Sequence, residues 1–259
     1  KCMRSSGRPS RPHSGQLGAG ELAACAVVTA LLLVVQFVLS FVPGVELVTA
    51  LLLAFSYFFG WKCGVLTATA FSLLRCFLYG FYPNVIVLYL IYFNAFALLF
   101  GWLGGRREAV AAWVCPVLLV LLMGGALYAA LADFPISVLV VSRLRTAAWA
   151  LFGVAAALLC ADVVLLLFRK RTLAASLAAL AAFMTVWFTL LDDVLTPLFY
   201  GYTMEAALAY FYTGFLAMLP QTVCAAVSVF VFFPVLARIF KAVRKSPPSN
   251  VGRTQKDMV

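Results

Sequence analysis

The sequence predicts an all-α fold: a polytopic transmembrane helix bundle of about eight spans, with both termini in the cytoplasm. Three observations predict it. Of 259 residues, 65% are hydrophobic and only 11% charged, and the mean hydropathy is +1.07. An ordinary soluble domain is about a quarter charged, and a soluble fold of this length has too little interior to hide so much apolar surface. The apolar residues gather into long continuous runs, mostly near the ~20 residues that a helix needs to cross a bilayer. Between those runs lie short basic clusters. A soluble enzyme, a disulfide-rich secreted module, a fibre and a disordered chain are excluded on these grounds.

Residues 1–21, rich in Ser, Gly, Pro and Arg, form a basic N-terminal tail that should be disordered. The tail lacks an early apolar run with a small-residue cleavage site, so no cleaved signal peptide is expected. The transmembrane domain is 22–245, with apolar runs at 22–41, 45–60, 63–79, 85–104, 109–131, 147–168, 173–195 and 220–240. The runs do not alternate, which points to helices and not to a barrel. The second and third are short, as suits a locally thin or wet region. Residues 246–259, with Pro247 and Pro248, form a second disordered tail.

The net charge of +10 is an orientation signal and not a nucleic-acid signal. Sixteen of the 19 Lys and Arg fall in the N-terminal tail, at Lys62, at Arg106 and Arg107, at Arg169–Arg171, or around and after the end of the last run. All of these lie on one side of an eight-span chain, and the positive-inside rule makes that side the cytoplasm. Arg75, Arg143 and Arg145 are the exceptions. The other side collects Glu46, Asp133, Asp192, Asp193 and Glu205.

Several chemistries lack their residues. The seven cysteines form no C-x-x-C pair and mostly fall inside apolar runs, where they read as small buried residues. The one histidine, His13, is in the N-terminal tail, so a His-based metal site or a Ser-His-Asp triad is not expected. There is no G-x-x-x-x-G-K-[ST] phosphate loop. The chain therefore reads as a non-enzyme without cofactor, and any uphill transport must be driven by an ion gradient or by a separate ATPase.

The polar residues within or beside the runs are the candidates for a site. Arg75 sits near the outer end of its run, either snorkelling to headgroups or facing a polar cavity. Glu46 begins the second run after Pro43-Gly44, as a helix N-terminal acid, a partner for Arg75 or a ligand contact. Asp192 and Asp193 lie before Pro197, and one of two adjacent residues can face the interior; a solvated helix end is the competing reading. Asn84 follows Pro83 in a turn, where Asn is locally favoured. Asn94 reads as a bridge between helices, and Asp162 as structural. The aromatic stretch 210–215 precedes Pro220 and reads as an interfacial helix, a lid or part of an aromatic belt. Pro220 suits the first position of the last helix. Gln221 and Thr222 would then offer free backbone N–H groups to an anion. In the first run, Ala26-Val-Val-Thr-Ala30 is a small-x-x-x-small pair that lets another helix approach closely.

Two blocks of sequence resemble the substrate-binding (S) component of energy-coupling-factor (ECF) vitamin transporters. The first holds Val42-Pro-Gly-Val-Glu-Leu-Val-Thr49, Phe59-Gly-Trp-Lys-Cys-Gly64, Leu78-Tyr-Gly-Phe-Tyr-Pro83 and Leu103-Gly-Gly-Arg-Arg107. The second holds 188–197, Met218-Leu-Pro-Gln-Thr222 and Phe233-Pro-Val-Leu-Ala237. Together they cover roughly 22–107 and 173–245. The resemblance implies a subunit of the bacterial cell membrane that captures a water-soluble vitamin or related micronutrient from outside. It implies delivery through a transmembrane coupling subunit and ATPase subunits, with Ala26 and Ala30 on the docking face. It places Glu46, Arg75, Asn84, Asp192, Asp193 and Gln221 at the substrate pocket. Cobalt and nickel are not expected, since similar metal-binding members use an N-terminal His that this chain lacks. Such proteins usually have six spans, so the two extra ones imply an inserted hairpin at 109–168. Two other classes stay open: a stand-alone ion-coupled secondary transporter that uses Asp192 or Asp193, and a membrane assembly protein with no ligand.

Overall fold

The computed structural model describes residues 17–41, 47–106, 108–132, 138–167 and 172–245, and among them it is helical without a strand. The helices are α1 (Ala19–Leu39), α2 (Leu47–Phe59), α3 (Trp61–Tyr79), α4 (Pro83–Gly104), α5 (Glu108–Leu131), α6 (Val138–Leu167), α7 (Leu173–Tyr200) and α8 (Met204–Lys245). Seven of them contain a stretch long and apolar enough to cross a membrane. Connections run from one residue, Gly60, to seven, 40–46. The protein is therefore a multi-pass helical membrane bundle.

The exception is α2, whose 13 residues span only about 20 Å, against a hydrocarbon core of about 30 Å. It compensates by position. Every residue from Thr49 to Ser56 is buried, and α2 packs against α1, α3, α4 and α8. A helix that is apolar all round belongs at the centre of a fold.

Close packing around α2 depends on glycine. Gly60 takes a positive φ of 88°, which lets α3 start one residue after α2 ends. Gly101 and Gly104 of α4 rest directly on the backbone of Trp61 and Tyr57, leaving no space for a side chain. A polar bridge joins the middle of α3 to α4. Thr69 donates to Asn94 Oδ1 at 2.9 Å, and Asn94 Nδ2 donates to its own helix at Leu90 O.

The second core helix is α7. Thr172 caps its N-terminus by accepting from the Ala175 N–H, and its Ala-rich first half is buried against α4, α5 and α8. α5 and α6 pair with each other. They reach the rest of the bundle chiefly through α5 on α7, while α6 barely touches α7.

Three expected boundaries are corrected. α6 begins at Val138 and not at 147, because the apolar stretch Val138–Val141 continues the helix through Arg143 and Arg145. α7 runs through Pro197 to Tyr200 and ends where Gly201 turns left-handed (φ 62°). The last helix does not start at Pro220. It starts at Met204, where Thr203 Oγ1 accepts from the Ala206 N–H, and runs unbroken for 42 residues. The stretch 210–215 is therefore part of α8 and not a separate lid. Gln221 and Thr222 are mid-helix, so they offer no helix N-terminus to an anion. One cysteine also departs from expectation: Cys160 is exposed on α6.

The two ends of the bundle differ. Lys62, Arg106, Arg238, Lys241 and Arg244 mark a basic end. There Arg244 Nη1 donates to the Phe58 carbonyl at 3.1 Å, tying the end of α8 to the end of α2. The other end, with the turns at 80–82 and 201–203, carries the acids of α7.

Candidate functional site

The polar residues at the acidic end form a network across α4, α7 and α8. Asp192, Thr196 and Tyr200 follow one another at a spacing of four and share one face of α7. Thr196 Oγ1 donates to Asp192 Oδ1 at 2.7 Å. From α4, Asn84 Nδ2 donates to Thr196 Oγ1 at 3.2 Å, while Asn84 Oδ1 accepts from the Tyr200 hydroxyl at 3.2 Å. From α8, the Tyr210 hydroxyl donates to Asp192 Oδ2 at 2.7 Å. Both Asp192 oxygens are thus held by hydroxyls from two helices. Tyr210 precedes the apolar stretch 220–244 of α8. Burial, and then its bond to Asp192, push its phenol up to about 12, so it remains a donor at neutral pH.

Asn84 occupies the second position of α4, directly after Pro83, which is pre-set for a helix start. Its side chain does not serve the local turn. It is 7% exposed and directed at α7.

Asp193 turns the other way. It is 9% exposed, and its Oδ1 has no hydrogen-bond partner. The carboxylate lies against α8 at Gly214. A buried carboxylate in this condition is costly unless a proton or a cation joins it.

Arg75 lies on the α3–α4 side. Its guanidinium stacks over Tyr89 at 4.0 Å and over Tyr79 at 4.7 Å, and its buried Nε has no hydrogen-bond partner. Tyr79 is fixed in turn by donating to Gln36 O of α1 at 3.0 Å. Tyr89 meets Phe188 of α7 edge-on at 5.8 Å, and Phe188 is one turn before Asp192. Arg75 and the Asp192 network are thus two polar stations separated by an aromatic wall. The cation lies over the faces of two half-buried tyrosine rings.

Of the expected site residues, Asn84 and Asp192 are joined through Thr196, Asp193 is next to Asp192 on α7, and Arg75 lies across the wall. Gln221 does not join them. It is 11 residues beyond Tyr210 on the same helix, or about 16 Å along the axis. Glu46 lies outside the described residues. Thr196, Tyr200, Tyr210 and Gly214 belong to the site and were not among the expected residues. The four-residue spacing of Asp192, Thr196 and Tyr200, repeated by Tyr210 and Gly214, is the signal that marks them.

On α1, Cys25, Val28, Thr29 and Leu32 form the buried stripe, whereas Ala26 and Ala30 are exposed. Among the described residues no group of three His, Cys, Asp or Glu comes together. No family model, no curated protein and no solved structure matches this chain.

Proposed function

We propose that the protein is the membrane-embedded substrate-capture subunit of an ECF-type importer in a bacterial cell membrane, binding a small water-soluble vitamin or related micronutrient. The observation that carries this reading is the buried carboxylate of Asp193, whose Oδ1 has no hydrogen-bond partner, beside the Asn84–Thr196–Asp192–Tyr210 network. Intramembrane ionisable groups of this kind usually serve a solute or an ion path. In this reading α2 is a short eighth span, both termini are cytoplasmic and the acidic end faces outward. The basic residues at the other end support that orientation.

Two further features support the reading. The exposed Ala26–Ala30 face of α1 offers a close-approach surface for a coupling subunit. The loosely attached α5–α6 pair fits an addition to a six-helix core. Driving force would come from partner ATPases, because the chain has no phosphate loop of its own.

A second reading is favoured by the same carboxylate. Among the described residues no Lys or Arg is recorded against Asp193, as suits a group that takes up a proton in a stand-alone ion-coupled transporter. Radiolabelled-vitamin uptake separates the two. Uptake that needs the ATPase module and survives a protonophore supports the capture subunit. Uptake that persists without the module and collapses with a protonophore overturns it. Mass spectrometry of small molecules carried through purification names the substrate.

A further inference from the structure

Among the described residues, Arg75 of α3 is a cation met by rings alone. It lies one turn before the end of its helix, in a stretch apolar enough to cross a membrane. Its guanidinium carbon is 4.0 Å from the centre of the Tyr89 ring on α4 and 4.7 Å from that of Tyr79 on α3 itself. Both rings are fixed in turn. The Tyr79 hydroxyl donates to Gln36 O of α1 at 3.0 Å, and Tyr89 packs on Phe93 at 5.1 Å and on Phe188 of α7 at 5.8 Å.

The rings hold the charge but do not satisfy the donors. A guanidinium carries five N–H groups that want oxygen, and a ring face is a weak acceptor. The enclosed Nε has no acceptor, and no carboxylate, carbonyl or hydroxyl among the described residues bonds to the Nη atoms. Asp192 does not serve, because its oxygens are held by Thr196 and Tyr210 beyond the wall of Tyr89 and Phe188. Arginine does not shed its proton to escape this condition. Arg75 as a whole is only half-buried, so an incoming group can reach the outer edge of the guanidinium.

The group that would complete this site has a defined chemistry. It carries negative charge, and it presents two oxygens spaced for the guanidinium fork. Carboxylate and phosphate meet both demands, and a neutral or cationic group meets neither. The two rings also hold the fork in place beforehand, so little side-chain freedom is lost on binding. We infer that Arg75, clamped between Tyr79 and Tyr89, is the receptor for an oxyanion, either carboxylate or phosphate. Two sources carry that chemistry: the carboxylate of a water-soluble substrate and the phosphate of a bilayer phospholipid. The first rests on the capture-subunit reading above and narrows its substrate to an organic acid.

The test measures binding to the full chain in detergent with three carboxylates and their neutral counterparts: nicotinate and nicotinamide, biotin and biotinamide, pantothenate and panthenol. At least one carboxylate should bind tenfold more tightly than its counterpart, and Arg75→Gln should abolish that preference. Arg75→Lys keeps the charge without the fork, so its carboxylate affinity should fall severalfold while the neutral probe is unaffected. That variant decides the matter if Arg75→Gln fails to fold. The lipid source has its own arm, native mass spectrometry after extraction from phosphatidylcholine vesicles. One retained phospholipid that falls at least fivefold in Arg75→Gln, with no carboxylate preference, assigns the oxyanion to a headgroup. No carboxylate preference together with phospholipid retention that ignores Arg75→Gln overturns the inference. Uptake keeps the two proposals apart. Carboxylate binding through Arg75 without ATPase-dependent uptake upholds the oxyanion site and overturns the capture subunit. ATPase-dependent uptake of a neutral vitamin such as riboflavin, with neither effect of Arg75→Gln, upholds the capture subunit and overturns the site.

Discussion

The carboxylate of Asp193 on α7 rests on Gly214 of α8, with Oδ1 only 2.6 Å from where a β-carbon at position 214 would sit. No side chain larger than hydrogen fits there while Asp193 keeps its place. Gly214→Ala should therefore push the acid aside. Because the displaced atoms are the end of a side chain, the cost to stability should stay near 1 kcal/mol, the low end for overpacking. Solute uptake should fall far more than the unfolding midpoint in detergent. Equal losses in both would mean that Asp193 is only packing.

The charge of Asp193 can be tested separately. Asp193→Asn keeps the shape and removes the buried carboxylate. Thermal stability should hold or rise, since an unpartnered buried acid is destabilising, while substrate binding should weaken at least tenfold, about 1.4 kcal/mol. A marked fall in melting temperature with unchanged binding would make the acid structural.

The hydroxyls that hold Asp192 should matter more to stability. Tyr210→Phe removes a hydrogen bond to a carboxylate, worth roughly 1.5–3 kcal/mol. Thr196→Val removes one such bond and also leaves the Asn84 amide without its acceptor. Both variants should unfold earlier than wild type, and the double variant should cost less than the sum, since both act on one carboxylate. Strict additivity, measured by denaturation in detergent, would show that the two bonds are independent.

Glycines of equal helix cost should differ sharply in effect. Gly104→Ala places a methyl on the Tyr57 carbonyl, where backbone cannot rotate away, and should destabilise by at least 1–3 kcal/mol, the usual range for overpacking. Gly124→Ala meets open space and should be neutral or stabilising by up to about 1 kcal/mol, the helix-propensity gain. Similar effects at both positions would mean that α4 does not approach α2 as closely as described.

Ala26→Leu with Ala30→Leu adds bulk only to the exposed face of α1. Folding and substrate binding should be unchanged, and copurification of the coupling subunit should be lost. Unchanged copurification would place the docking face elsewhere.

The helical membrane architecture was legible because it is written in composition: long apolar runs give the helices. What misled was reading charge and proline as boundaries. Arg143 and Arg145 lie inside α6, Pro197 inside α7 and Pro220 inside α8. In a water-free environment a helix is the only way to satisfy the backbone, so it continues through residues that would end it in water. The central place of α2 was not legible either, because the short apolar run 45–60 does not say what surrounds it. Asp192 and Asp193 stood out as polar residues in an apolar run, and Asn84 as a polar residue in the turn after Pro83. Their partners did not, because Thr196 and Tyr200 lie 112 and 116 residues from Asn84, and tyrosines are ordinary in membrane helices.

At one end of α8, Tyr210 holds the acidic network; at the other, Arg244 holds the end of the buried α2. These contacts are 34 residues apart on one uninterrupted helix, about 51 Å. α8 is thus a strut fastened at both faces of the bundle. A change in the grip on Tyr210 can reach the Phe58 carbonyl through that strut, with Pro220 and Pro234 as the places where it can bend. One helix therefore anchors both the acidic network and the end of α2, with its two prolines between the anchors.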